Sequence, residues 1–219
     1  MDIIFFAAVA VFIFVKLNKQ LGKIDEEEKK QIEEKIFQTS QTALSNQQKI
    51  VGSKSTVTSP DAEKKILEGM DEATKQNFIS ILQRCNISAE FFVSGAKSAF
   101  EMVIKAFAGT DFETLKFLLS EKIYQSFESA INDRKSREEI LTTNVILIEK
   151  CEVVSAMMLE NTASIAVKFL SKQINYISDK SGQIVGGKKD EISEITDIWT
   201  FKKDTSSTNP NWIISITSH

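Results

Sequence analysis

The sequence predicts an α+β protein: helices first, then an antiparallel meander of about four strands, all behind an apolar N-terminal segment and a charged stalk. Three observations carry this. From Ala62 to Ile131 apolar residues recur at helical spacing, as amphipathic stripes. From Asn144 to Ser218 the spacing changes to alternation, rich in Val and Ile and broken by turn signals. Helices grouped before strands, rather than alternating with them, favour helices on an antiparallel sheet. The expected organisation is an anchor over residues 1–17, a stalk over 18–60 and a folded domain over 61–219.

Ile3 to Val15 reads IIFFAAVAVFIFV, without one charged or polar side chain. As a helix, Ile3–Leu17 spans only about 22 Å at about 1.5 Å per residue. A hydrocarbon core is about 30 Å thick. Lys16 can snorkel and the bilayer can thin, so a short single span is the expectation. Ile3, Ile4, Phe5, Phe6, Val11, Phe12 and Phe14 would meet lipid, and Lys16 the headgroups. A cleaved signal peptide would want a basic residue before the run, and none is present. A buried core helix is the other alternative, and a terminal run without helical periodicity fits it poorly. Lys16, Lys19 and Lys23 come after the run and no cation precedes it, which puts the rest of the chain on the cytoplasmic side. In a mitochondrion the equivalent side would be the matrix.

Residues 18–60 offer little for a core. Ile24–Phe37 is a charged helix candidate, and Gln, Ser, Thr, Asn and Lys dominate residues 38–60, a linker composition. Residues 61–219 hold 19 basic and 23 acidic side chains, a net charge of −4. An acidic domain argues against nucleic acid as a partner. The single histidine, His219, and two cysteines far apart in sequence, Cys85 and Cys151, leave no zinc spacing and no His-based triad. No catalytic residue, metal or cofactor is expected, and the cysteines read as buried free thiols.

Ala62–Cys85 carries one apolar stripe, Ile66, Met70, Phe78, Ile81 and Leu82, interrupted near Gly69. Such a helix packs on its own domain, or docks on a membrane or partner with Lys64 and Lys65 at the interface. Ser88 is placed to cap the next helix, along which Phe92, Ala96, Phe100, Val103 and Phe107 share a face. Thr110 or Asp111 caps a short helix, Phe112–Leu119, and Ser120 caps another reaching about Arg137. Glu160-Asn161 makes a turn between the first two strands. Ile165, Val167 and Phe169 alternate, whereas Ile174 and Tyr176 have opposite parity, which predicts a bulge near Lys172. Ser178–Asp190, with three glycines, reads as a long hairpin loop. In the last two strands Trp199 and Phe201 share one face, and Trp212, Ile214 and Ile216 another.

Three blocks in this order resemble the Tim-forty-four-like (Tim44-like) domain family: Ile87–Ile131 (ISAEFFVSGAKSAFEMVIKAFAGTDFETLKFLLSEKIYQSFESAI), Thr196–Phe201 (TDIWTF) and Asn209–Thr217 (NPNWIISIT). The resemblance extends over residues 62–219. It implies a curved antiparallel sheet wrapped by helices, similar to the nuclear-transport-factor-two-like and cystatin-like cone. Its members include a mitochondrial inner-membrane tether for the import-motor chaperone and bacterial single-span proteins; the bacterial members are the closer match, so the resemblance implies a bacterial inner (cell) membrane with the domain on the cytoplasmic side. It also implies that Ala62–Cys85 corresponds to a membrane-recruiting helix region. The long chaperone-binding region of the mitochondrial member is replaced here by the span and stalk, which puts chaperone recruitment in doubt.

Two functions arise as expectations. One is a membrane-anchored, non-enzymatic adaptor that docks protein partners of translocation, chaperone or membrane-complex assembly, with possible anionic-lipid contact. The other is lipid or small apolar ligand binding in a cone-shaped pocket lined by Phe100, Phe107, Asp197, Trp199, Phe201 and Trp212. Asp197, Tyr176 and Glu101 are the polar residues nearest strongly apolar neighbours, yet no nucleophile–base pair accompanies them.

Overall fold

A computed structural model describes residues 60–218 of the chain. The apolar run and all but the last residue of the stalk lie outside these residues. Among the described residues no helix is long and apolar enough to cross a membrane.

The helices begin where capping chemistry permits. Gly69, at φ 86, breaks the first stripe into α1 (Pro60–Leu67) and α2 (Glu72–Cys85). The Asp71 carboxylate accepts the Thr74 backbone N–H at 3.0 Å and starts α2. Asn86, left-handed at φ 53, ends it. Ser88 caps α3 (Ala89–Gly109) by accepting the Phe91 N–H at 3.1 Å. Left-handed Thr110 closes α3, and Asp111, not Thr110, caps α4 (Phe112–Leu118). Ser120 holds the N-cap place of α5 (Glu121–Ser136) without a side-chain cap bond, while its own N–H donates to the Ile214 carbonyl at 2.8 Å.

The strands are antiparallel: β1 (Ile140–Leu159), β2 (Thr162–Ser178), β3 (Ile184–Gly187), β4 (Ser193–Asp204) and β5 (Ile213–Ser218). The order is β1-β2-β4-β5, and β3 pairs with the C-terminal end of β2. Glu160, at φ 53, turns the long β1–β2 hairpin. α2 and α3 pack against β1, and α5 against β5, so the helical layer covers one face of the sheet. On β2 that inner face carries Ala163, Ile165, Val167 and Phe169, all fully buried. Phe78, Phe92, Phe100, Val103 and Ile131 meet them from the helices.

Three expectations about the sheet are corrected. β2 keeps its alternation through Lys172; the inner positions after Phe169 are Ser171 and Gln173, buried polar residues, so Ile174 and Tyr176 simply face outward. The irregularity lies across from Lys172, on β1, which shifts register between Val145 and Leu147 and twice more further along. Ser178–Asp190 is not all loop: Ile184–Gly187 forms β3, held by an Asp179 carboxylate that accepts the Ser181 and Gln183 N–H groups at 2.8 and 3.0 Å. Trp212 precedes β5, and a register shift at Thr200/Phe201 sets Ile214 inward and Ile216 outward.

Candidate interaction surface

The residues expected to dock on a membrane divide between core and surface. Lys64 and Lys65 are exposed, and Ile66 and Met70 are half-buried against the core. Phe78 and Ile81 have no exposure and Leu82 only 4%. The expectation that these three enter a bilayer is corrected: α2 lies across β1, and Asn77 Nδ2 fixes it there by donating to the Ala156 carbonyl at 3.1 Å. The elbow around Gly69 stays open as a cleft of about 540 Å³, lined by Glu63, Lys64, Leu67, Glu68, Gly69, Met70 and Lys75. Its two glutamates balance its two lysines, so charge gives it no strong preference for an anionic surface.

The residues expected to line an interior pocket instead pack on one another. Phe100 stacks on Phe169 with ring centroids 4.5 Å apart and meets Trp199 at 4.7 Å. Phe92 bridges Phe201 at 6.0 Å and Trp212 at 5.1 Å, both edge to face. Phe107 turns away to Phe127 at 5.0 Å. Aromatic rings therefore occupy the space between helices and sheet where the sequence suggested a ligand. Asp197 lies on the inner face opposite Phe169 with 3% exposure. Glu101 is exposed on α3, and Tyr176 is half-buried on the outer face, so the three polar residues do not converge.

Two buried polar groups had no sequence signal beyond an unexpected polarity. Arg134 donates to the Phe107 and Ala108 carbonyls at 2.9 and 3.3 Å, and its guanidinium lies 5.1 Å from the Phe107 ring centroid. A cation there neutralises the C-terminal end of α3, although burial lowers its affinity for the proton. On β2, Gln173 donates to Ser171 Oγ at 2.9 Å, and Asn175 donates to Gln173 at 3.3 Å, a satisfied ladder along one face. Cys85 and Cys151 are free and partly buried. Burial pushes the Cys151 thiol up to about 11, which keeps it protonated and unreactive at neutral pH.

The outer face of the sheet carries Leu147, Met157, Leu170, Ile174, Ile198 and Ile216 among Lys150, Glu152, Lys168 and Lys202. Met157, 60% exposed, and Ile216, 51% exposed, are the most open of these. Among the described residues no helix covers this face, and its mixture of apolar and charged side chains suits contact with a protein more than contact with an acyl chain.

Known proteins match parts of this chain. A Caenorhabditis elegans protein, the probable mitochondrial import inner membrane translocase subunit tin-44, is 25% identical over 109 residues, which is 49% of this chain and 26% of that protein. This chain thus matches about a quarter of the length of that curated relative. Among solved structures, the intermembrane space region of the chloroplast protein ARC6 aligns with a TM-score of 0.41 and 14% identity, over 57% of this chain and 94% of that one. Residues 83–219, from the last turn of α2 through the whole sheet, match the Tim44-like domain, and the chain belongs to that family.

Proposed function

We propose that the chain is a membrane-anchored, non-enzymatic adaptor, with residues 1–17 as its single span and the folded domain on the cytoplasmic face of a bacterial inner membrane. Its role is to hold protein partners of translocation or membrane-complex assembly at that surface. One observation carries the choice over a ligand-binding role: the interior is occupied by the contacts of Phe92, Phe100, Phe169, Trp199 and Phe201. Recognition is left to the Gly69 elbow, the outer sheet face and the strand edges. The family match and the translocase relative support the partner class, and the Ile3–Val15 run supports the anchor.

Affinity purification from detergent-solubilised membranes tests this, with the full chain compared against a chain lacking residues 1–17. The expected result is a defined set of membrane-complex subunits with the full chain and their loss with the truncated one. Recovery of a lipid or small molecule in stoichiometric amount, with no protein partner, would overturn it.

A further inference from the structure

We draw no further inference here: the strongest candidate, the apolar outer face of the sheet between Met157 near the tip of the β1–β2 hairpin and Ile216 on β5, mixes lysines with glutamates so that its charge selects no partner, and nothing in the structure shows what covers it.

Discussion

Phe169 is fully buried on β2, with its ring 4.5 Å from Phe100, 5.8 Å from Trp199 and 6.5 Å from Phe201. Phe169→Ala should cost about 3–5 kcal/mol, the range for a large aromatic lost from a packed core. Trp212 is half-buried and leans on Phe92, so Trp212→Ala should cost less, about 1–2 kcal/mol. Urea unfolding of residues 60–219 measures both, and equal losses would contradict the assigned packing. Gly187 is required for a different reason: its φ is 71, and a Cβ there would lie 2.4 Å from the Asn175 carbonyl oxygen. Gly187→Ala should open the β2–β3 pairing at a cost of about 1–3 kcal/mol, read as faster amide exchange at Tyr176–Ser178 with the rest of the sheet protected. The pH dependence comes from four carboxylates. A backbone N–H holds Asp71 below its ordinary 3.8, and serine or threonine hydroxyls with nearby N–H groups do the same for Asp111, Asp179 and Asp204. A depressed folded pKa gives stability that is complete above the ordinary value and is lost as pH falls through the lower folded one. The melting temperature should therefore drop below about pH 4, and Asp71→Asn should flatten part of that drop. At this scale the caps Ser88 and Asp111 are legible in the sequence, because short polar side chains before a periodic run have one common use. Arg134 is not, since nothing in linear spacing says that a cationic residue will turn inward to the end of another helix.

At the scale of elements, helices are legible and sheet detail less so. α3 is plain because Phe92, Ala96, Phe100, Val103 and Phe107 leave one period open. β3 is hidden because Gly186 and Gly187 read as loop, while its pairing depends on Ile177 and Ser178, outside any local signal. The parity of β2 misleads because Ser171 and Gln173 occupy inner positions, and their mutual hydrogen bond becomes visible only with the fold. The stripe of α2 is plain, but its destination is not: an apolar helix face is the same before a sheet and before a bilayer. Its burial yields a specific expectation. A fragment of residues 86–219 loses Phe78, Ile81 and Leu82 from the core and the Asn77 bond to the Ala156 carbonyl on β1, so it should aggregate or lose its near-ultraviolet circular dichroism. Residues 60–219 should fold. Phe78→Glu in that longer fragment should collapse stability rather than alter flotation on liposomes. A folded, cooperative 86–219 fragment would show that α2 is dispensable to the core.

On the scale of the whole molecule, the helices pack on one face of the sheet, and among the described residues no helix covers the other. In the adaptor role proposed above, one layer fixes the fold and the opposite surface meets the partner. The α+β class is legible from the order of helical and alternating patterns, and the family resemblance from the three blocks Ile87–Ile131, Thr196–Phe201 and Asn209–Thr217. Surface roles are not legible, since they depend on which side of each strand meets a neighbour. The proposed function depends on attachment to a membrane through the Ile3–Val15 run. Alkaline carbonate extraction of cells expressing the full chain and a chain lacking residues 1–17 tests it most directly, combined with protease treatment of inverted inner-membrane vesicles. The full chain should stay in the carbonate pellet with its C-terminal domain digested in inverted vesicles, and the truncated chain should be released. Release of the full chain by carbonate, or protection of its domain in inverted vesicles, would contradict it.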